Sequence, residues 1–207
     1  MHTNISIHKI ESSQASPLPT NPDTNKKTTL TPLQRSFLQS LLEHFPAVTV
    51  FTLPQRGSYS RLGNGTASGG LYSAWGMENR EAAVRVTGAP GNHRFEVRPV
   101  DGTSNPHLVF AGIIAAGMLG VKEGKELAMD DCNTMASILP DEERKRLGIT
   151  QALPLSLSEA RRLMTADHAM HAALGKEFID FYLSLNEVRP CGLSAGAMTD
   201  LLDAPFR

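Results

Sequence analysis

Three short strand-like runs in the middle of the chain constrain its fold most. They span residues 71–75, 82–87 and 93–98, and each is rich in apolar, β-branched or aromatic residues. A Gly-Ala-Pro-Gly segment at residues 88–91 predicts a turn between the last two runs. Because strands joined by such short connections favour opposite directions, we expect a small antiparallel sheet.

A helix is predicted just before this sheet. Thr31 followed by Pro32 is typical of a helix start, since threonine caps the first turn and proline fits the first helical position. Pro46 is expected to end this helix, and the apolar residues 47–53 are expected to form a strand. The apolar residues that recur at helical spacing are Leu33, Phe37, Leu38, Leu41, Leu42 and Phe45.

Further helices are predicted after the sheet. Ser104 or Asn105 caps a helix that starts at Pro106 and runs to about Gly120. This helix is apolar nearly all round, so we expect it to be buried, with glycines that allow a neighbouring element to approach closely. A short charged helix is expected over residues 141–147, a capping box at Ser156 opens another, and residues 174–185 form an amphipathic last helix. The predicted fold class is therefore α+β, a small antiparallel sheet with flanking and C-terminal helices.

The two ends of the chain carry little pattern. Residues 1–30 are rich in Ser, Thr, Asn and Pro and lack an apolar period, which predicts a disordered leader. The globular domain is expected to span residues 31–188, and residues 189–207 are expected to form a weakly structured tail.

The overall charge and cysteine content exclude several classes of protein. Twenty Lys and Arg against 21 Asp and Glu exclude a broadly basic surface for nucleic acid. Two cysteines, Cys132 and Cys191, exclude a disulfide scaffold and fit no zinc spacing. The apolar run 108–121 is too short to span a bilayer and no secretory signal is recognisable, so we expect a cytoplasmic protein without a membrane partner.

Charged side chains share one face of the third predicted strand. Because side chains alternate along a strand, Arg94, Glu96 and Arg98 point to one side while the residues between them face the core. Arg85 stands between two valines in the preceding run and joins this face if the two strands pair. The sequence therefore predicts three arginines around one carboxylate.

This charge pattern has two interpretations. Several guanidiniums suit a polyanionic ligand, because arginine grips carboxylates and phosphates through paired hydrogen bonds. Glu96 could then hold a divalent cation that bridges phosphates. Two further arginines, Arg61 and Arg80, lie in or beside the segments that connect the strands. The alternative is an exposed sheet face with cross-strand ion pairs. The pattern alone leaves both open.

Other candidate sites are weaker. Gly63 and Gly65 lack the strand-to-helix context of a phosphate loop. His168 and His171 share a helix face without a clear third metal ligand. Cys132 follows two aspartates, which would raise the pKa of its thiol and argue against a nucleophile.

Several motifs follow one another in a fixed order: SYSR at residues 58–61, WGMENREAAVR at 75–85, RFEVR at 94–98, SNPHL at 104–108 and AAGMLG at 115–120. In this order they resemble the type I glutamine synthetase family, most of all its plant and fungal FluG-like branch. The resemblance covers roughly residues 36–188. It identifies residues 31–188 as the C-terminal part of a glutamine synthetase-like catalytic domain.

The resemblance implies an ATP-dependent ligase that joins the glutamate γ-carboxylate to ammonia or an amine through a γ-glutamyl phosphate. It implies ATP and Mg²⁺ or Mn²⁺ as cofactors. By motif, it assigns the metal to Glu96, ATP phosphates to Arg85 and Arg94, and substrate binding to Arg61, Arg80 and Arg98, with Arg80 and Arg98 also catalytic.

Two departures from the family pattern affect these expectations. The upstream segment with further metal-binding glutamates, and the small β domain before it, have no counterpart in residues 1–35, so we expect this chain to be inactive alone. It could instead be a non-catalytic partner or regulator of a full-length glutamine synthetase-like subunit, or a truncated gene product. An oligomer with itself or with a full-length homologue is also possible. Residues 62–74 contain no Asp or Glu, where glutamine-forming members carry a glutamate for ammonium, which leaves room for a larger amine.

Overall fold

The computed structural model describes residues 2–8, 26–62, 70–90 and 92–187. Together they form one small sheet with helices packed against it, which confirms the α+β class. The strands are β1 (Thr3–Ile5), β2 (Trp75–Met77), β3 (Val84–Thr87) and β4 (Arg94–Val97). The helices are α1 (Pro32–Thr52), α2 (Pro106–Glu123), α3 (Asp141–Arg146), α4 (Leu157–Ala166), α5 (His168–Leu174) and α6 (Lys176–Glu187).

The sheet is mixed, with strand order β1-β4-β3-β2. Strands β3 and β4 form the predicted antiparallel hairpin, and Gly88 begins its turn with φ of +98°. Strand β2, however, runs parallel to β3, so the expectation of a fully antiparallel sheet is wrong. A strand of three residues is only about 10 Å long, a distance that the connection at residues 78–83 spans easily.

The predicted disordered leader is wrong for its first residues. Strand β1 pairs antiparallel with β4, and Thr3 is buried opposite Val97. Without β1, the backbone N–H and C=O groups on the second edge of β4 would lack partners in the sheet, and even a three-residue strand supplies them. Leu30, just before α1, is fully buried. Residues 9–25 and the predicted tail lie outside the described residues, and the predicted domain boundaries stay predictions.

Helix α1 begins where the sequence predicts and continues past the residue expected to end it. Thr31 accepts a hydrogen bond from the Gln34 N–H (3.2 Å) and donates its own N–H to the Gln34 side chain (3.0 Å). Pro46 lies inside the helix and supplies no N–H for the carbonyl of Leu42. The Ser73 hydroxyl donates to that carbonyl instead (2.6 Å). The predicted strand at residues 47–53 is thus the last turns of α1.

Helices α1 and α2 lie in close contact through glycines, as predicted. A Cβ on Gly117 would lie 2.1 Å from the Phe37 ring, and one on Gly120 would lie 2.2 Å from the Ser36 carbonyl oxygen. The expectation that α2 is buried all round is wrong, because its opposite face exposes a row of apolar side chains. The exposed row consists of Phe110, Ile114 and Met118. By length and composition alone α2 could also cross a membrane, a property shared by core helices of soluble proteins.

The C-terminal helices follow the predicted pattern. Ser156 caps α4 by accepting from the Glu159 N–H (3.1 Å), and Gly175 separates α5 from α6 with φ of +91°. The His44 and Asp167 side chains meet at 2.7 Å and join α1 to the corner between α4 and α5. The Phe37 ring of α1 stacks on the Phe95 ring of β4, with centroids 5.9 Å apart, so α1 lies on the apolar face of the sheet, opposite the face that carries Glu96.

Candidate functional site

Glu96 lies between two guanidinium groups on the outer face of the sheet. It is directly opposite Arg85 in the β3–β4 pairing. Arg85 donates from Nη1 to Glu96 Oε2 (3.0 Å), and Arg98 donates from Nη1 to Glu96 Oε1 (2.7 Å). Glu96 and Arg98 are only 8% and 5% exposed. This arrangement is more buried than a solvated face with cross-strand ion pairs would be.

A second carboxylate, Glu78, lies on the other side of Arg85. The Arg85 Nε donates to Glu78 Oε2 (3.1 Å), and Nη2 contacts the same oxygen. The Thr87 hydroxyl donates to Glu78 Oε1 (2.6 Å). Together, Glu78, Arg85, Glu96 and Arg98 are called the charged cluster below, with Thr87 at its margin.

Hydrogen bonds in and beside the charged cluster shift the pKa values of Glu78 and Arg85. The hydrogen bond from Thr87, together with that from Arg85, lowers the pKa of Glu78 below its ordinary value. The hydrogen bond to Glu78, assisted by that to Glu96, raises the pKa of Arg85. Both changes stabilise the charged forms of Glu78 and Arg85, so this ion pair persists at neutral pH.

The other predicted arginines lie apart from this cluster or at its edge. Arg94 is exposed and lies opposite Thr87 in the sheet register. It is two residues before Glu96 in β4, so its side chain is on the same face of the sheet. Arg80 is exposed in the connection between β2 and β3. Arg61 ends a short 3-10 helix, Arg56–Arg61, and its side chain lies outside the described part of the structure. The structure thus unites three of the six predicted site residues, and the assigned roles of all six stay predictions.

Two residues of this face were not found from the sequence. Asn4 of β1 lies directly opposite Glu96, on the same side of the sheet, but its segment has no apolar period that would have predicted a strand. Glu78 adopts a left-handed backbone conformation with φ of +53°, unusual for a residue other than glycine. Nothing in the surrounding sequence signals that conformation.

The described residues do not fit a divalent metal ion by themselves. Both oxygens of Glu96 already accept hydrogen bonds from guanidinium groups. Across residues 2–8, 26–62, 70–90 and 92–187, no group of three or more His, Cys, Asp and Glu is arranged to hold a metal. An octahedral Mg²⁺ site needs more protein or substrate oxygens than one neutralised carboxylate supplies.

Two residues of the Ser-Tyr-Ser-Arg motif, Tyr59 and Ser60, line a pocket of about 520 Å³. Arg56, Tyr59 and Ser60 form one wall, and residues 155–158 at the start of α4 form the other. Burial raises the pKa of Tyr59, so its phenol stays protonated at physiological pH. The pocket therefore offers hydroxyl groups and one cation.

The structure agrees with the expectation that Cys132 is not a nucleophile. Its side chain is buried, and this burial, together with the negative charge of Asp131, raises the pKa of the thiol. A thiol with a raised pKa holds little thiolate at neutral pH. His168 and His171 have ring centroids 6.4 Å apart and belong to no metal-binding group in the described ranges.

Comparisons with known proteins relate this chain to one enzyme family. The family described as "Glutamine synthetase, catalytic domain" matches residues 1–189. Protein fluG of Emericella nidulans is 37% identical over 162 residues, which are 78% of this chain and 18% of that protein. A glutamine synthetase of Mycobacterium tuberculosis is 35% identical over 74% of this chain and 35% of its own length. A gamma-glutamylpolyamine synthetase, GlnA3 of Streptomyces coelicolor, is 34% identical over 83% of this chain and 37% of its own length.

Solved structures agree with this relation. A crystal structure of a novel glutamine synthase homolog superposes with a TM-score of 0.64 at 29% sequence identity. The match covers 89% of this chain and 40% of that chain. The chain thus spans between about a fifth and two fifths of the length of the relatives it matches.

Proposed function

The chain belongs to the glutamine synthetase catalytic-domain family, and on that premise we propose that the charged cluster is the anion-binding part of a γ-glutamyl ligase site. One observation carries the proposal: the buried Arg98 and the half-buried Arg85 are held on one sheet face by Glu96. Arginines fixed in this way can bind phosphate or carboxylate groups without first losing side-chain freedom.

The proposed reaction depends on positioning and on neutralising charge. ATP would transfer its γ-phosphoryl group to the γ-carboxylate of glutamate and leave as ADP. An amine would then attack the carbonyl carbon of this acyl phosphate, lose a proton and release inorganic phosphate. Arg85 and Arg94 would bind ATP phosphates, and Arg98 would stabilise the negative charge of the transferring group. Arg61 and Arg80 would hold the carboxylates of glutamate, and Arg80 would also act with Arg98 on the transferring group. Glu96 would keep Arg85 and Arg98 in place.

We propose that this chain does not complete the site alone. The described residues supply no metal-binding group, and the chain spans at most 40% of the relatives named here. In this proposal the glutamate and phosphate side is present, while the metal-binding side comes from protein that these residues do not include.

We therefore expect no γ-glutamyl hydroxamate from the purified chain supplied with glutamate, ATP, Mg²⁺ and hydroxylamine. The physical reason is that fast phosphoryl transfer needs a divalent cation as well as arginines to neutralise the charge on the phosphates. The assay measures the coloured ferric hydroxamate, with a full-length glutamine synthetase as the positive control. Robust, metal-dependent product from this chain would overturn the proposed division of the site.

An amine larger than ammonia is the acceptor we favour. Residues 62–74 contain no Asp or Glu that could bind ammonium by charge, and one relative is named a gamma-glutamylpolyamine synthetase. The test grafts this segment into a full-length glutamine synthetase and compares ammonia with polyamines as acceptors. A graft that keeps full ammonia activity would contradict this choice.

A non-catalytic role is the second candidate. Helix α2 exposes three apolar side chains in one row, which a larger assembly could cover. In this role the chain would dock on a full-length homologue and regulate it. Specific co-purification with such a homologue, with a change in its activity, would favour regulation over the ligase proposal.

A further inference from the structure

Glu78 occupies the side of Arg85 that is best shaped to bind an anion. The Nε and Nη2 edge of a guanidinium donates two parallel hydrogen bonds to a carboxylate or phosphate. In Arg85 this edge contacts Glu78, while the Nη1 group contacts Glu96. A phosphate can therefore use the paired edge of Arg85 only after Glu78 has moved away.

The backbone places Glu78 in this position. Its left-handed conformation follows directly after β2, and its N–H donates to the Val86 carbonyl (2.8 Å). That contact brings the side chain over β3, where Thr87 donates to Oε1 (2.6 Å). A conformation that costs energy in a residue with a side chain is maintained here by the contacts of Glu78 with β3.

The two carboxylates that contact Arg85 differ in how easily they can be displaced. The Glu96 side chain is 11% exposed and also binds Arg98, so removing it would leave two poorly solvated cations. The Glu78 side chain is 53% exposed, and ion pairs at that exposure contribute little to stability. Glu96 is therefore the permanent partner of Arg85, and Glu78 is the exchangeable one.

We infer that Glu78 is an internal competitor that a polyphosphate ligand must displace from Arg85 before it binds. This inference rests on the proposed function, in which Arg85 binds ATP phosphates. It makes Glu78 a specificity-determining residue: a triphosphate carries enough charge to displace the carboxylate, whereas a small monoanion such as acetate does not. The lowered pKa of Glu78 is consistent with a carboxylate that stays ionised and competes at neutral pH.

The test is calorimetric titration of the intact chain with inorganic tripolyphosphate at low ionic strength and without metal. We expect Glu78→Gln to bind about fivefold more tightly than the unmodified chain, the factor that corresponds to losing a half-exposed ion pair. Glu81→Gln is the matched control, since it removes the same charge from the same connection but lies outside the charged cluster. Equal affinities of Glu78→Gln and Glu81→Gln would overturn the inference.

Two further variants keep the result interpretable. Thr87→Val removes the hydroxyl that donates to Glu78. It should raise the affinity for tripolyphosphate by a smaller factor than Glu78→Gln does. An affinity no higher than that of the unmodified chain would count against competition by Glu78. Arg85→Gln distinguishes the two proposals. If Arg85→Gln abolishes tripolyphosphate binding while Glu78→Gln and Glu81→Gln bind with equal affinity, the proposed competition by Glu78 is wrong and the proposed function stands. If Arg85→Gln leaves the affinity unchanged, both in the otherwise unmodified chain and together with Glu78→Gln, then Arg85 does not bind phosphate and both proposals fail.

Discussion

Replacing Glu96 with glutamine should lower the free energy of unfolding by about 3 kcal/mol, the cost of leaving buried guanidiniums without their counter-charge. Arg98 is 5% exposed, so its guanidinium would be left poorly solvated and without the counter-charge of Glu96. The glutamine can still accept one hydrogen bond, so the loss should lie at the lower end for broken buried ion pairs. Urea unfolding measures this change in the free energy of unfolding, followed by the fluorescence of Trp75, which is buried and is the chain's one tryptophan.

The control for this variant is Glu81→Gln, which removes the same charge from outside the charged cluster. It should change the stability by no more than about 0.5 kcal/mol. A Glu96→Gln effect below about 1 kcal/mol would mean that the sheet face behaves as a solvated surface with cross-strand ion pairs. The measurement therefore tests the interpretation of this face as exposed, and titration with phosphate ligands tests the anion-binding interpretation.

Replacing Gly120 with alanine should also destabilise the fold by about 3 kcal/mol, although this change normally stabilises a helix by about 1 kcal/mol. The added methyl group would lie 2.2 Å from the Ser36 carbonyl oxygen and 2.5 Å from the Ser40 Cβ. A carbonyl inside α1 cannot rotate away as a side chain can, so α1 and α2 would have to separate. Thermal and urea unfolding give the change in stability.

Gly57→Ala is the control for this helix contact. A Cβ at Gly57 would meet no atom within 4 Å, so we expect a change within about 0.5 kcal/mol. A Gly120→Ala chain that is as stable as the unmodified chain would contradict the close packing of α1 on α2.

Local signals in the sequence predicted much of the fold. The cap at Thr31 starts α1, the glycine-containing turn after β3 produces the hairpin, and the glycines of α2 face α1. These features depend on neighbouring residues or on the spacing of residues along one element. The charged face of β4 is of the same kind, since alternation alone places Arg98 beside Glu96.

The features that the sequence did not reveal all depend on distant contacts. Pro46 stays inside α1 because Ser73, from another segment, satisfies the released carbonyl. Strand β1 forms because β4 offers a free edge, and nothing in its own three residues predicts that. Glu78 joins the charged cluster through a left-handed conformation that is maintained by its contacts with β3.

The most direct test of the central claim is the affinity of the chain for ATP, measured by titration calorimetry at low ionic strength. If the charged cluster is the phosphate-binding part of a γ-glutamyl ligase site, Arg85→Gln should weaken ATP binding about tenfold or more, because it removes a charge-assisted pair of hydrogen bonds. Arg146→Gln, which removes an exposed cation on α3, should leave the affinity unchanged. Equal affinities of the two variants for ATP would contradict the claim.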